Sequence, residues 1–221
     1  MRVILLGATG MVGQGVLREC LLAPDVAAVL AVGRRRTAQE HPKLRELLVD
    51  DLGDLGRHAS ELGGFDACFF CLGVSSAGMD ESSYRRITKD LTLAVAALLA
   101  EVNPGMTFVY VSGAGSDASE GGRSMWARVK GETENALLRL PLKVYLFRPG
   151  YIQPLHGISS RTTWYRVVYA VVGPFYPLWK TLFPSQLTTT ELVGKAMLAV
   201  ARERPGKSVL ETPDINELAR G

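Results

Sequence analysis

Cysteine is scarce in this chain, three in 221 residues. So low and odd a number excludes a disulfide-stapled secreted scaffold and fits a reducing compartment. Cys68-Phe-Phe-Cys71 has CxxC spacing, but its apolar neighbours read as a strand. Residues three apart on a strand face opposite sides, which argues against a shared metal or redox pair and leaves buried small hydrophobes. Histidine is equally scarce; His41, His58 and His156 lie scattered without ligand spacing, and no metal site is expected. Charge of one sign is also lacking: a net +3 is too weak for a nucleic-acid surface, so no nucleic-acid partner is expected. Long hydrophobic runs are missing too. In MRVILLGATG the apolar run is only Val3–Leu6, unlike a secretory leader. The aromatic stretch 164–183 is broken by Arg166, Gly173, Pro174, Pro177 and Lys180, short of the roughly twenty apolar residues a spanning helix needs. The expected compartment is the cytoplasm.

What is present is an ordinary globular composition, 47% hydrophobic and 21% charged, in a length that suits one domain over residues 1–221. Short apolar runs alternate with helix-like runs. Strands are expected at Val3–Leu6, Ala28–Val32, Leu47–Val49, Ala67–Leu72, Thr107–Val111 and Lys143–Phe147, with a last one at Ser208–Leu210. Between them, helical periodicity marks Val12–Leu22, Tyr84–Glu101 and Met125–Leu140. Thr188 and Glu191 have the spacing of a capping box, opening a helix to about Arg202. Continuously apolar strands separated by helices imply an α/β doubly wound parallel sheet. Residues 151–190 are rich in aromatics, Pro and Thr and read as a small cap over the sheet, serving substrate or an interface.

The first strand runs into Gly7-Ala-Thr9-Gly10-Met11-Val12-Gly13. This is the strand–turn–helix context in which glycines allow a tight turn, a close approach to a pyrophosphate, and close packing of helix on sheet. The pyrophosphate would sit at the helix N-terminus, where free N–H groups favour anions. The second strand ends in Val32-Gly33-Arg34-Arg35. An NAD-preferring site often carries an acid there to hold the ribose 2′-OH; a guanidinium suits a 2′-phosphate instead. NADP(H) is therefore expected over NAD(H), with Arg34 and Arg35 as its readers and Arg36 solvated.

These residues, together with Asp51-Leu52, Cys71-Leu72-Gly73, Val111-Ser-Gly-Ala-Gly-Ser116, Lys130-Gly-Glu and Arg148-Pro149-Gly150, resemble the short-chain dehydrogenase/reductase superfamily. The likeness is closest to its atypical and extended branch, the Tat-interacting-protein (CC3-like) oxidoreductases and NmrA-like proteins, over about residues 1–218. The resemblance implies a Rossmann fold. It implies Asp51 and Leu52 flanking the adenine, with Cys71, Leu72 and Gly73 beside the ribose and pyrophosphate. It sets Lys130 on the nicotinamide ribose, and Pro149, Gly150, Tyr151 and Ile152 along the nicotinamide. Ser112 aligns with the active-site serine, and Ser116 is its alternative.

In that superfamily a YxxxK pair does the chemistry: the lysine lowers the tyrosine pKa and the tyrosine exchanges the proton as hydride moves. Here the stretch reads Trp126-Ala-Arg-Val-Lys130. An indole N–H is a donor only and cannot shuttle a proton. Two readings stay open. One is a reductase of a small carbonyl compound, a hydrophobic one being plausible, with a displaced acid: Tyr151, Tyr84 or a water relayed by Ser112. The other is a silent NADP(H) sensor or regulatory scaffold of the NmrA kind. Sugar-nucleotide epimerisation is disfavoured, because few residues follow Gly150 and the tyrosine is absent. Trp164, Tyr165, Tyr169, Phe175, Tyr176, Trp179 and Phe183 suit a hydrophobic pocket, a homodimer face or a membrane-surface contact through residues 164–183. There Arg161, Arg166 and Lys180 are available to an anionic group or solvated.

Overall fold

Strands that are apolar at every position must be covered on both faces. The computed structural model, which describes residues 1–158 and 184–221, has that arrangement. The strands are β1 (Arg2–Leu6), β2 (Ala28–Gly33), β3 (Leu44–Leu48), β4 (Ala67–Phe70), β5 (Thr107–Val111), β6 (Lys143–Arg148), the short β7 (Tyr151–Gln153) and β8 (Leu187–Thr189), and β9 (Val209–Glu211). Seven form one parallel sheet in the order β3-β2-β1-β4-β5-β6-β9, while β7 pairs with β8. The helices are α1 (Met11–Leu22), α2 (Glu81–Arg85), α3 (Leu91–Val102), α4 (Met125–Leu137), α5 (Thr190–Glu203) and α6 (Thr212–Leu218). The chain is thus the doubly wound Rossmann architecture expected from its alternation.

Alternate strand residues supply two cores. Val3, Leu5, Phe69, Val109 and Phe147 pack against Val16 and Leu17 of α1, Val193 and Met197 of α5, and Ile215 of α6. Ile4, Leu6, Phe70, Phe108, Tyr110 and Leu146 pack against Val95 and Leu99 of α3 and Leu137 of α4. Cys68 belongs to the second core and Cys71 packs on the first, so the CxxC pair is split across the sheet. Cys20, Cys68 and Cys71 are free thiols. Among the described residues no helix is long and apolar enough to cross a membrane.

Several local expectations shift. The third strand is Leu44–Leu48, not Leu47–Val49; it is an edge strand carrying Arg45 and Glu46, so its pattern is not apolar throughout. Helix α4 stops at Leu137 rather than Leu140, because the residue before Pro141 disfavours helix and a tight turn takes over. The helix expected over Tyr84–Glu101 is α2 and α3 joined by one π turn, Arg86–Asp90. The cap of α5 is Thr189, whose hydroxyl accepts from Leu192 N–H at 3.1 Å. Thr188 is buried in β8, and Glu191 instead meets His156 at 2.7 Å and Lys195 at 2.5 Å. A 3-10 segment, Leu52–Glu61, and helix α6 were not anticipated. The aromatic stretch Trp164–Phe183, with Arg161, lies outside the described residues.

Helix α2 is held against α4 by charge. Glu132 accepts from both Arg85 and Lys89, the latter at 2.7 Å; Glu81 takes Arg85 at 3.1 Å and Arg128 at 2.7 Å. The Arg85 bonds, with Lys89, outweigh burial and bring the Glu132 carboxyl down to about 2. A carboxyl lowered on folding adds stability above its unfolded value, and that contribution disappears as pH falls through its folded value. The window here runs from the ordinary 4.5 down to about 2. Glu132→Gln is therefore expected to be less stable than the wild type at pH 7, with the difference shrinking below pH 4.5. Urea unfolding at a series of pH values checks this; parallel curves for the two proteins would contradict it.

Candidate functional site

The sheet order reverses between β1 and β4, and a crevice opens there at the carboxyl ends of the strands, the usual ligand position of an open α/β sheet. One half of the crevice is walled by Gly7–Gly10, by Gly33, Arg34, Arg35 and Thr37 after β2, by Leu52, and by Cys71–Gly73 after β4. Gly10 N–H donates to Gly7 O at 2.9 Å, closing the turn. A Cβ on Gly13 would stand 2.0 Å from Gly7 O, so only glycine lets α1 start against the turn. No side chain caps the first turn of α1 and no acid lies in it, leaving an N-terminus suited to an anion. A Cβ on Gly33 or Gly73 meets nothing within 4 Å, so these walls are bare backbone beside open space. Both features fit a dinucleotide pyrophosphate.

The basic loop after β2 is ordered by one carboxylate. Glu46 of β3 accepts from Thr37 N–H at 2.6 Å, Thr37 Oγ1 at 2.8 Å and Arg36 Nη1 at 3.4 Å. Burial raises its pKa, but these partners outweigh it and hold the carboxyl below the ordinary range. Arg36 is thereby tied to Glu46, whereas Arg34 and Arg35 have no ion pair among the described residues.

The other half of the crevice is lined by Met11 and Val12, Val74–Ser76, Tyr84, Val111, Ser112, Trp126, Lys130 and Gly150–Ile152. Lys130 Nζ donates to Tyr110 Oη at 3.0 Å and to Val111 O at 3.2 Å, and stands 4.7 Å from the centre of the Tyr110 ring. Burial brings the Lys130 ammonium down to about 8, with Glu134 opposing the shift. Ser116 Oγ donates its one proton to Gly113 O at 2.9 Å, so the 2.8 Å contact between Ser112 and Ser116 uses the proton of Ser112. Ser112 thus offers lone pairs to the crevice. Tyr151 Oη donates to Gln153 Oε1 at 2.9 Å. Trp126 is half-buried, and its indole N–H has no hydrogen-bond partner among the described residues.

Arg148 fixes this end. It grips Glu134, one turn beyond Lys130 on α4, through Nε at 3.1 and 3.2 Å and through Nη2, and reaches Glu211 of β9 at 3.4 Å. The loop after β5 is strapped to the chain after β6: Ser112 N–H donates to Phe147 O at 2.8 Å and Ala114 N–H to Pro149 O at 3.0 Å. Gly150 N–H donates to Thr212 Oγ1 at 2.9 Å.

The crevice therefore gathers nearly every residue singled out from the sequence. Gly13, Asp51, Ser116 and Pro149 do not line the crevice: Gly13 shapes the turn, and Asp51 caps the 3-10 segment by accepting from Gly53 N–H at 2.8 Å. Thr37 and Ser75-Ser76 line it without having been anticipated; their positions just past the ends of β2 and β4 were the available signal. No group of three His, Cys, Asp or Glu side chains suited to a metal gathers among the described residues.

No family model matches the chain. Among curated proteins, rat HTATIP2 is 29% identical over 68% of this chain and 62% of its own length. Protein fmp52-1, mitochondrial, of Aspergillus terreus is 31% identical over 68% of this chain and 66% of its own length. The chain thus matches somewhat under two thirds of these relatives. Among solved structures, MoeE5 in complex with UDP-glucuronic acid and NAD superposes with a TM-score of 0.68 at 20% identity, covering 95% of this chain and 75% of MoeE5. That likeness is one of fold. Taken with the glycine turn, the switch-point crevice and the curated relatives, it leads to one assignment: the chain belongs to the atypical branch of the short-chain dehydrogenase/reductase superfamily of Rossmann-fold proteins.

Proposed function

We propose that the crevice binds NADP(H) and that the protein is an oxidoreductase acting on a small, hydrophobic carbonyl or alcohol compound. The observation that carries this reading is the continuity of the crevice. It runs from Arg34 and Arg35, which have no ion pair among the described residues, past the glycine turn, to Lys130, Ser112 and Trp126. A dinucleotide laid along it meets guanidinium groups at a ribose 2′-phosphate, backbone amides and a helix N-terminus at its pyrophosphate, and a buried ammonium at its far ribose. The presence of NAD in the MoeE5 complex supports a nicotinamide cofactor; the choice of NADP(H) rests on Arg34 and Arg35. Three free cysteines support a reducing compartment, which we take to be the cytoplasm.

When bound, the cofactor supplies hydride exchange at the nicotinamide. In this reading the chain's own residues position the reactants. Tyr151 and Ile152 flank the nicotinamide end, and Leu72 and Gly73 lie along the ribose and pyrophosphate. The Trp126 N–H donates to a substrate oxygen without ionising. Ser112 accepts from a substrate hydroxyl, since its own proton is held by Ser116. The apolar walls Val12, Val74 and Val111 favour a hydrophobic substrate.

A second reading, a silent NADP(H) sensor, is favoured by one observation: a donor-only tryptophan stands where the superfamily has its acid–base tyrosine. Two measurements decide. In calorimetric titrations, NADPH is expected to bind more tightly than NADH. Arg34→Ala is expected to weaken NADPH by about tenfold or more while leaving NADH nearly unchanged, the loss of a charge-assisted bond; equal NADPH affinity in the two proteins would reject the 2′-phosphate assignment. In a carbonyl-library assay the wild type is expected to consume NADPH. Trp126→Tyr, which rebuilds YxxxK, is expected to raise that rate by about a hundredfold, the usual value of a positioned acid. Binding without consumption in the wild type, with turnover only in Trp126→Tyr, would instead establish the sensor.

A further inference from the structure

Three arginines in a row, Arg34, Arg35 and Arg36, join the end of β2 to Thr37, and all three are exposed. An exposed arginine keeps its rotamer freedom, so the reach of its guanidinium is decided by the backbone that carries it. That backbone is an arch with two feet, and both stand on β3. At the first foot Gly33 lies in register with Leu48, and Val49 N–H donates to Gly33 O at 3.1 Å. At the second, Thr37 gives its N–H and its hydroxyl proton to one oxygen, Glu46 Oε1, at 2.6 and 2.8 Å. The first foot is a main-chain ladder. The second hangs on a single side chain.

The next residue shows that the second foot needs holding. Ala38 has a φ of 60°, in the left-handed region that residues other than glycine disfavour. The return of the loop is fixed separately, by Lys43, whose Nζ donates to Leu21 O at 3.2 Å and Ala23 O at 2.7 Å. The other oxygen of Glu46 reaches Arg36 only at 3.4 Å. The short bonds of this carboxylate thus go to Thr37 and the long one to the cation, so placing the arch comes before neutralising Arg36.

Thr37 lines the crevice with Arg34 and Arg35, whereas Glu46 does not. Glu46 is the register partner of Ala31, which does line it. An anion therefore stands next to the place assigned above to a phosphate, and by charge alone it would repel that phosphate. We propose that Glu46, acting through Thr37, is the positioning residue for recognition of the 2′-phosphate. The inference rests on the NADP(H) reading above and names the residue on which that preference depends.

Two rival roles give different signs. Were Glu46 to act by charge alone, its removal would free Arg36, delete an anion and strengthen binding of the phosphate. Were it to accept from a ribose 2′-hydroxyl, as an acid does in NAD-preferring sites, its removal would weaken the unphosphorylated nucleotide. Loss of a positioning residue weakens the phosphorylated nucleotide alone.

The test is calorimetric titration of the full chain with two probes that differ by one group, adenosine 2′,5′-bisphosphate and adenosine 5′-phosphate. The wild type is expected to bind the bisphosphate more tightly. In Glu46→Ala that preference is expected to fall by about tenfold, the value of one well-placed charge-assisted bond, with the 5′-phosphate affinity unchanged. Glu46→Gln, whose amide oxygen still accepts from Thr37, is expected to keep the preference. Thr37→Val, which retains the N–H and loses the hydroxyl, is expected to lose part of it and decides the matter if Glu46→Ala folds poorly. An unchanged or increased preference in a folded Glu46→Ala protein, or an equal loss for both probes, would overturn the proposal while leaving the NADP(H) reading in place. A wild type indifferent to the 2′-phosphate would reject that reading, and the proposal with it.

Discussion

The buried pair of Arg148 and Glu134 holds the chemical end of this molecule together. Glu134 is almost fully enclosed, and one partner without the other would leave an uncompensated charge, typically a cost of about 3–5 kcal/mol. Through this contact the end of β6 is fixed to α4 one turn from Lys130, and through Glu211 to β9. The segment Gly150–Ile152 and the lysine are therefore set by the same guanidinium. The straps from Ser112 to Phe147 and from Ala114 to Pro149 bring the loop after β5 into the same frame. The crevice wall from Ser112 to Ile152 is thus built on strand ends rather than on free loops, which is what a site needing sub-ångström placement requires.

The two ends of the crevice differ in kind. At the β2 end, cations stand beside bare backbone, with Glu46 pairing Arg36 while Arg34 and Arg35 have no ion pair among the described residues. At the β5–α4 end, hydrogen-bond donors are numerous but ionisable protons are few, because serines and a tyrosine are bonded within the protein. The arginine charges and the hydrogen-bonding groups of the crevice thus lie at different ends of it.

The fold was legible because every strand of the sheet's centre is apolar at successive positions and the glycine turn sits at the first of them. The edge strand β3 was misplaced because one side of it faces Arg45 and Glu46 rather than a core. The π turn at Arg86–Asp90 leaves no mark in a helical pattern, since the apolar residues flanking it keep nearly the same face. The crevice was legible wherever a residue type announces its task, as glycines and arginines do. It was opaque where the task depends on partners distant in the chain. Arg148 reads as part of a short motif, yet its meaning lies in Glu134 and Glu211. Tyr110 reads as one more aromatic in a strand, and only the crossing of α4 over β5 sets its hydroxyl against Lys130. The proton accounting of Ser112 depends on Gly113 O, which no pattern of side chains reveals.

The central claim is that one continuous crevice seats a phosphorylated nicotinamide dinucleotide with its reactive ring at the Trp126–Lys130 face. A crystal structure of the protein with NADPH tests this most directly. The account predicts the 2′-phosphate against Arg34 and Arg35, the pyrophosphate at the start of α1, and the nicotinamide between Ile152 and Trp126 within reach of Lys130. A cofactor bound elsewhere, or with its nicotinamide turned away from Trp126 and Lys130, would contradict it.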